Sequence, residues 1–390
     1  MGIHPVSNHP PEGTLGVNGI VSKWDGMTGP LRVGVIGANP NRSWAKDSHI
    51  PALRSLENVQ LAAMATTSRA SADAAAAAFG VRAAYDDPLA LITASDIDIV
   101  SVCVRVPYHR DLVLAALAAD KHVYCEWPLG RDRAEAAEMA AAARARPIHV
   151  AIGLQAHMNP AARRAAELIA AGTIGKPLTA RIYSSTAGYG THLPASYAYL
   201  NTIESGANLI TILGGHTLDL AILVLGGIDS LEALTTLQHP TVTLTDTGEQ
   251  IQRTAPDHLL IQARMISGCA LAVEVAGDRA PDTPFTFEVV GTDGGLLLAG
   301  GHPHGFQAGR LSLSLNGERQ QVDEPPDTLP DAAVNVAAMY CALARDISSV
   351  EHTTPDFEHA VRLTHLIDDV VQLANTGHRL TRQDWPTSDV

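Results

Sequence analysis

Short, continuously apolar segments alternate with helical segments between Leu31 and Val150 of this 390-residue chain. Strands that are apolar along their whole length are buried on both faces, as in a parallel sheet, and strand–helix alternation indicates repeated βαβ units. Right-handed crossovers then place helices on both faces of the sheet. We therefore predict an α/β domain with a doubly wound parallel sheet over residues 31–150. Its predicted strands are LRVGVIG, VQLAAMATT, IDIVSVCV, KHVYCEWPLG and IHVAIGL, and its predicted helices are 43–56, 71–79, 108–119 and 131–144.

The pattern changes after residue 150. Several strand-like segments between residues 231 and 315 are separated by Gly, Asp and Pro turns with few helical patterns among them, which is typical of an antiparallel sheet. We predict an α+β domain with a mostly antiparallel open sheet over residues 151–390, and we expect its helix at 357–374 to pack back at the domain junction. Further helices are predicted at 160–171 and 205–225. Residues 1–30 are rich in Gly, Pro and Asn and are predicted to form a flexible tail.

Composition narrows the function classes. The chain has 27 Lys and Arg against 41 Asp and Glu, a formal net charge of −14, and such a surface repels a nucleic-acid backbone. No apolar run approaches the roughly 20 residues that span a bilayer, and the N-terminus lacks the features of a signal peptide. The four widely spaced cysteines suit a reducing compartment. We expect a cytoplasmic protein that binds neither nucleic acid nor membranes.

The turn after the first strand has the chemistry of a dinucleotide site. Gly37 ends the strand, and Ser43 and Trp44 begin the next helix, so backbone N–H groups and a helix start can face a pyrophosphate. The full G-x-G-x-x-G spacing is absent because Asn39 stands where the second glycine belongs. Asn tolerates left-handed backbone angles, so the turn can form without that glycine. We predict that this turn binds a dinucleotide, the alternative being a structural turn without a ligand.

The end of the second strand indicates which dinucleotide binds. An NAD site normally places Asp or Glu there to accept from the ribose 2′-hydroxyl, whereas this chain has Ser68 and Arg69. A guanidinium binds phosphate through two parallel hydrogen bonds. We therefore predict that NADP(H) is preferred and that NAD(H) is possible. The alternative is that Arg69 is a solvated residue at a helix start.

Four longer segments resemble the glucose–fructose oxidoreductase/inositol dehydrogenase (Gfo/Idh/MocA) family. They are VGVIGANPNRSWAKDSHIPAL, VRVPYHRDLVLAALAADKHVYCEWPLG, NPAARRAAELIAAGTIGKP and DFEHAVRLTHLIDDVVQLANTGHR. The resemblance implies an N-terminal Rossmann domain that binds NAD(P), a second domain for substrate and oligomerisation, and a dehydrogenase or reductase of sugars or polyols. It also implies a homodimer or homotetramer associated through the open sheet face. The stretches EWPL, SGANLITILGGHTLD and TAPDHLLIQ resemble the subgroup of the fungal galactose-regulon repressor, a dinucleotide-binding regulator.

Two expected proton-handling groups are replaced. Where the family has a catalytic lysine this chain has Trp127, and where it has an aspartate four residues before the pocket histidine this chain has Ile212. His216 matches that histidine, and neutral imidazole suits proton transfer. The candidate catalytic residues are His216, Tyr189 and Tyr199. The candidate cofactor-binding residues are Gly37, Asn39, Trp44, Ser68, Arg69, Val104, Pro107, His109, Glu126, Trp127 and Gln155.

Several alternatives remain open at this point. Trp127 could stack on a nicotinamide or a sugar, or it could be a core residue, and His216 could be a hydrogen-bonded histidine inside a helix. His157 stands where the family usually has arginine. The histidines of the HPHG segment indicate a surface loop, so no metal site is expected. The functional hypothesis is an NAD(P)-dependent oxidoreductase acting on a small carbonyl or alcohol. The alternatives are a noncatalytic NADP-binding regulator and a redox-neutral sugar enzyme that keeps its cofactor bound.

Overall fold

A six-stranded parallel sheet forms the N-terminal part of the chain. The computed structural model describes residues 29–41, 43–323, 326–349, 351–377 and 380–381, so the predicted tail lies outside the described residues except for residues 29–30. The strand order is β3-β2-β1-β4-β5-β6. The chain adds its first three strands toward one edge of the sheet and the next three toward the other edge, so the order of addition reverses between β1 and β4. The strands are β1 (Leu31–Ile36), β2 (Val59–Ala65), β3 (Ala83–Tyr85), β4 (Ile99–Val102), β5 (His122–Glu126) and β6 (Val150–Gly153). Ligands of such sheets bind at the carboxyl ends of the strands beside this reversal.

Helices connect these strands and confirm the doubly wound arrangement. Ser68 caps the helix after β2, and Gly80 ends it with left-handed backbone angles. The predicted continuous helix over 43–56 is wrong, because the backbone leaves helical geometry at Ser48 (φ −121°) and divides it in two. The helices of this part are α1 (Trp44–Asp47), α2 (His49–Ser55), α3 (Arg69–Phe79), α4 (Pro88–Thr93), α5 (His109–Ala118) and α6 (Arg133–Arg144).

A nine-stranded sheet dominates the second part. Each neighbouring pair of its strands is antiparallel except one, so the predicted mostly antiparallel open sheet is confirmed. The first helices and strands of this second part, in chain order, are α7 (Pro160–Ala170), β7 (Pro177–Ser185), β8 (His192–Leu193), α8 (Gly215–Leu225), β9 (Ile228–Thr236), β10 (Thr241–Leu244) and β11 (Gln250–Gln252). The later strands are β12 (His258–Met265), β13 (Ala270–Ala276), β14 (Phe285–Gly291), β15 (Gly295–Gly300), β16 (Leu311–Leu315), β17 (Glu318–Arg319) and β18 (Leu380–Thr381).

The order of the large sheet is β17-β16-β15-β14-β7-β13-β12-β9-β18, and β8, β10 and β11 form a separate small sheet. Side chains along β12 and β13 alternate between buried and exposed, as expected for a sheet with one face packed and one face open. Helices α7 and α8 lie against each other on the packed side. The helix predicted at 205–225 begins later than expected. Residues 210–214 form a single π-helical turn that leads into α8, because the Asn208 side chain accepts from the backbone N–H groups of Ile210 and Thr211.

Two C-terminal helices return to the first domain. Helix α9 (Asp331–Ser349), which no sequence prediction covers, packs on α2, and its buried side chains Val336, Met339 and Tyr340 share one core with β1 and β2. Helix α10 (Phe357–Thr376) packs against both α6 and β9, at the junction of the two sheets. One hydrophobic core of the N-terminal sheet is therefore completed by residues from the other end of the chain.

Among the described residues, no helix has both the length and the apolar character that crossing a membrane requires.

Candidate active site

The turn after β1 lies at the carboxyl edge of the parallel sheet. Gly37 has φ +102°, and a Cβ at this position would lie 2.5 Å from the Cys103 carbonyl oxygen, so only glycine lets the turn pass this close to the segment after β4. The Asn39 side chain accepts from the backbone N–H of Asn41, and Ser43 Oγ donates to the Asn39 carbonyl while it caps α1. The turn is thus shaped by its own side chains, and Asn39 supports it in place of the second glycine.

Hydroxyl groups and one arginine surround the end of β2. Thr66 Oγ1 and Ser68 Oγ each lie within hydrogen-bond distance of Ser71 Oγ, at 2.7 and 2.8 Å. The exposed Arg69 guanidinium pairs with the Asp73 carboxylate at 2.7 Å and donates to the Ala84 carbonyl at 3.0 Å. A 2′-phosphate at this edge would therefore compete with Asp73 for Arg69.

The segment after β4 is held by His109. This side chain is buried, one ring nitrogen contacts the Val104 carbonyl at 3.0 Å, and the other contacts the Pro128 carbonyl at 2.9 Å. Burial lowers the pKa of His109 despite these contacts. Its ring joins the segments that follow β4 and β5, while Pro107 is exposed between them. His109 is therefore placed to shape the cleft edge through the backbone.

Glu126, at the end of β5, anchors a polar network. Its carboxylate accepts from His49 Nε2 at 2.9 Å and from the Gln155 amide at 3.0 Å. His49 Nδ1 reaches the Tyr340 hydroxyl at 2.7 Å, and that hydroxyl reaches Ser101 Oγ at 2.6 Å. The network connects strands β4 and β5 with helices α2 and α9. Sequence reasoning did not single out His49 and Tyr340, because nothing local indicates that residues 291 positions apart meet.

Trp127 follows β5 directly, and its side chain crosses the domain junction. Its indole N–H donates to the Thr211 carbonyl at 2.8 Å, and the side chain is 6% exposed. A Cβ on Gly215 would lie 2.6 Å from Trp127 Nε1, so the indole packs directly against the start of α8. The only polar group of the ring is already paired, which leaves Trp127 no hydrogen to exchange with a ligand.

His216 follows Gly215 on α8. The residue is 4% exposed, and its Nδ1 has no hydrogen-bond partner among the described residues. Burial lowers the pKa of His216 to about 4, although the negative charges of Asp219 and Glu126 act in the opposite direction. The imidazole is therefore uncharged at neutral pH, and one of its buried nitrogens is left without a hydrogen-bond partner among the described residues. Such an atom in a buried position calls for a ligand or an ordered water.

The two candidate tyrosines lie in the segment between β7 and α8. Tyr189 has φ +64° and is packed against Gly277, and burial raises the pKa of its hydroxyl. Arg105, after β4, lies over the Tyr199 ring at 4.6 Å from its centre, and burial raises the pKa of Tyr199 as well. Raised pKa values disfavour the phenolate. Among the described residues, no hydrogen bond or ring contact connects either tyrosine with His216.

The fold and the site together define a class of protein with two domains, in which a Rossmann domain with a dinucleotide-type turn faces an open-sheet α+β domain. Residues 31–154 match the family model described as "Oxidoreductase family, NAD-binding Rossmann fold" (GFO_IDH_MocA), and residues 160–300 match the model described as "Gal80p, C-terminal domain". Residues 31–154 therefore have the NAD-binding Rossmann domain of the Gfo/Idh/MocA oxidoreductase family, and residues 160–300 form a domain of the Gal80p type.

Relatives of both kinds are similar to this chain. Dehydrogenase aclE of Aspergillus oryzae is 29% identical over 70% of this chain and 78% of its own length. The galactose/lactose metabolism regulatory protein GAL80 of Kluyveromyces lactis is 30% identical over 70% of this chain and 64% of its own length. GAL80 of Saccharomyces cerevisiae is 28% identical over 74% and 71%, respectively. The resemblance predicted from the motifs is thus confirmed, and it reaches both dehydrogenases and regulators.

Solved structures agree on the fold. The crystal structure of Gal80p from Kluyveromyces lactis superposes with a TM-score of 0.77 at 26% identity and covers 90% of this chain and 94% of that one. Levoglucosan dehydrogenase in complex with NADH and L-sorbose superposes with a TM-score of 0.76 at 19% identity and covers 90% and 98%. At that identity the second likeness establishes the shared architecture alone.

Proposed function

We propose that this protein is an NAD(P)-dependent oxidoreductase that transfers hydride between a nicotinamide cofactor and a sugar-like or other small carbonyl or alcohol substrate. The observation that carries the proposal is His216, a buried, uncharged imidazole with an unsatisfied nitrogen, which directly follows the glycine that packs on Trp127. The match of residues 31–154 to an oxidoreductase family model and the dehydrogenase relative support the same reaction class.

The residues at the sheet edge fit a dinucleotide. Gly37 and the Ser43-capped helix offer backbone N–H groups to a pyrophosphate. The buried atoms Trp44 Nε1 and Gln155 Oε1 have no hydrogen-bond partner among the described residues. These polar atoms are therefore available to hydrogen-bond with a bound dinucleotide. The hydroxyls near Ser68, together with Arg69, suit the ribose and favour NADP(H), with NAD(H) as the second choice. When bound, the nicotinamide supplies or accepts the hydride.

This chain's own residues must handle the proton. The Trp127 indole N–H is committed to the Thr211 carbonyl and has no accessible pKa, so the lysine position contributes packing only. His216 remains as a neutral group that can take a proton from an alcohol or hydrogen-bond to a carbonyl oxygen. Tyr189 and Tyr199 are second candidates whose raised pKa values limit them to donating hydrogen bonds.

The test is turnover of NADPH or NADP against a panel of keto-sugars, ketones and alcohols, followed in the absorbance band of the reduced nicotinamide. His216→Ala is expected to lower kcat about 10²–10⁴-fold, the usual range for a proton-transfer group. Cofactor affinity should stay within a few-fold of the unaltered protein. His304→Ala, in an exposed loop, is the matched control and should leave the rate unchanged. An unchanged rate in His216→Ala would remove His216 from the reaction.

A second candidate function, a noncatalytic NADP-binding regulator, is favoured by Trp127. The lysine position is filled by a residue whose polar group is used for packing, and the second domain matches the Gal80p model. The same experiment separates the two candidates. Tight binding of NADP in calorimetry without turnover of any substrate would support the regulator and contradict the oxidoreductase.

A further inference from the structure

Two histidines and an aspartate from three separate elements meet at the domain junction. His157 lies in the 3₁₀ turn Gln155–Met158 after β6, Asp219 lies on α8, and His359 lies in the first turn of α10. His359 Nε2 is 2.6 Å from Asp219 Oδ1, and His157 Nδ1 is 3.4 Å from Asp219 Oδ2. The three candidate ligand atoms all lie within 4.8 Å of one another.

The hydrogen bonding inside this cluster is incomplete. Asp219 is 1% exposed, yet its Oδ2 has no hydrogen-bond partner among the described residues, and neither has the buried Nδ1 of His157. The two atoms lie 3.4 Å apart, close enough for an ion pair but without the geometry of a hydrogen bond. Leaving a buried polar atom unsatisfied destabilises the folded protein. A ligand that accepts electron pairs from both atoms at once would remove this cost, and a cation is such a ligand.

The arrangement also has the directions that a metal ion needs. The two imidazole rings are nearly perpendicular, at 78° with their centres 5.5 Å apart, and their nitrogens lie against different oxygens of the carboxylate. Zinc bound at about 2.0–2.2 Å by nitrogen and oxygen holds its ligand atoms roughly 3.3 Å apart. The present separations therefore need only small side-chain rotations. Both histidine side chains are 22% exposed, so the cluster lies near the protein surface although Asp219 is buried.

We propose that His157, Asp219 and His359 form a binding site for a divalent transition-metal ion of the zinc class. Two imidazoles and one carboxylate are ligands that Zn²⁺ accepts, and three protein ligands leave the fourth position to water. The site joins the end of the Rossmann sheet to α8 and α10. Because α8 also carries His216, the bound ion stabilises the junction next to the candidate active site. The proposal does not depend on whether the protein catalyses a reaction.

The backbone at His359 is held in place by a helix cap. Asp356 caps α10, and its carboxylate accepts from the backbone N–H of His359 at 2.8 Å, so the first turn of the helix is fixed. Asp219 is fixed in the buried part of α8. A site whose ligands are held before the ion arrives loses less conformational entropy on binding.

The experiment uses the full chain, freed of metal by a chelator and then titrated with Co²⁺, whose visible absorption bands report nitrogen and oxygen ligands directly. We expect one Co²⁺ per chain, displaced by Zn²⁺, and a rise in Tm when Zn²⁺ is added. His359→Gln and His157→Gln should lose the bands and the rise in Tm. These residues are partly exposed, so their variants are expected to fold, which far-UV circular dichroism checks. Asp219→Asn provides a third test.

The matched control is the double variant His302→Gln, His304→Gln. These two histidines are also ring neighbours, with centres 5.3 Å apart, but they lie in the surface loop before β16. The control should bind Co²⁺ as the unaltered chain does. The proposal is overturned if the unaltered chain binds no metal at micromolar concentrations, or if His359→Gln binds it with the same affinity and spectrum.

Discussion

The imidazole of His216 connects burial with pH dependence at the scale of a single residue. In the unfolded chain its pKa is about 6.5, whereas burial lowers the pKa to about 4 in the folded protein. The unfolded state therefore binds more protons between these pH values. The contribution of His216 to stability is complete above pH 6.5 and is lost as the pH falls toward 4.

We expect His216→Gln to lose less stability than the unaltered protein on acidification. Between pH 7 and pH 5 the difference should be about 2 kcal/mol, because one pKa unit corresponds to about 1.4 kcal/mol. Urea unfolding of both proteins at the two pH values, with a chelator present, measures it. Equal losses in the two proteins would show that the imidazole is not held in its neutral form.

The pairing of Arg69 with Asp73 gives a prediction about cofactor choice. Arg69→Ala should weaken binding of NADP more than binding of NAD, because only NADP offers a 2′-phosphate to the guanidinium. Asp73→Asn is the matched variant. It removes the carboxylate that now holds Arg69 and should strengthen NADP binding several-fold. Calorimetry with both cofactors measures these changes, and equal losses for NAD and NADP in Arg69→Ala would contradict the assignment.

Local chemistry was sufficient to predict some residues of the site and insufficient for others. Ser68 begins a helix because its side chain accepts from a backbone N–H three residues on, a signal that lies within the sequence itself. The partner of Trp127 is a carbonyl 84 residues away, and no local pattern indicates it. The burial of Trp127, at 6% exposure, likewise depends on residues distant in the chain.

At the scale of elements, the contact between β5 and α8 depends on a glycine. Gly215→Ala would place a methyl group 2.6 Å from Trp127 Nε1, and inserting atoms into a packed core typically costs 1–3 kcal/mol. Gly214→Ala is the matched control, since its Cβ would meet Leu259 at an ordinary 3.4 Å. Chemical unfolding should show a loss of about 1–3 kcal/mol for Gly215→Ala and less than 1 kcal/mol for the control. Similar losses in both variants would contradict this account of the junction.

The elements themselves were predictable to different degrees. Five of the six parallel strands were found because an apolar run between turns is a strong local signal. The sixth, β3 (Ala83–Tyr85), was not predicted, because it is only three residues long and none of them is fully buried. The break at Ser48 depends on contacts of the fold, and the pattern of residues 43–56 did not reveal it. Helix α9 was missed although its buried residues Val336, Met339 and Tyr340 have helical spacing. The local sequence does not indicate where this helix packs, because the strands that it contacts lie about 300 residues earlier.

At the scale of the whole molecule, the open face of the nine-stranded sheet carries the oligomer prediction. Leu234, Leu260, Val290 and Leu297 are each at least 38% exposed on this face, and Arg181 and Glu288 lie in neighbouring register on it. A face that mixes apolar and oppositely charged groups can pair with its own copy around a two-fold axis.

We expect Leu260→Glu combined with Val290→Glu to convert a homodimer or homotetramer into a smaller species. Each chain would bring two carboxylates, so four would be buried in every interface formed by two such faces. Light scattering coupled to size-exclusion chromatography measures the mass. Leu89→Glu, which alters an exposed leucine of the Rossmann domain, is the control and should keep the original mass. A monomeric unaltered protein, or an unchanged mass in the double variant, would contradict the prediction.

Helix α9 sets the order in which this protein can be completed during synthesis. When the first domain emerges from the ribosome, the apolar surface formed by β1, β2 and α2 is still exposed to solvent. About 180 further residues must be translated before the first residue of α9 is made. Until then, the exposed apolar surface is available to chaperones or to wrong partners. A fragment ending at residue 154 would lack this cover permanently, so cutting the chain at the apparent domain boundary should yield an aggregation-prone product.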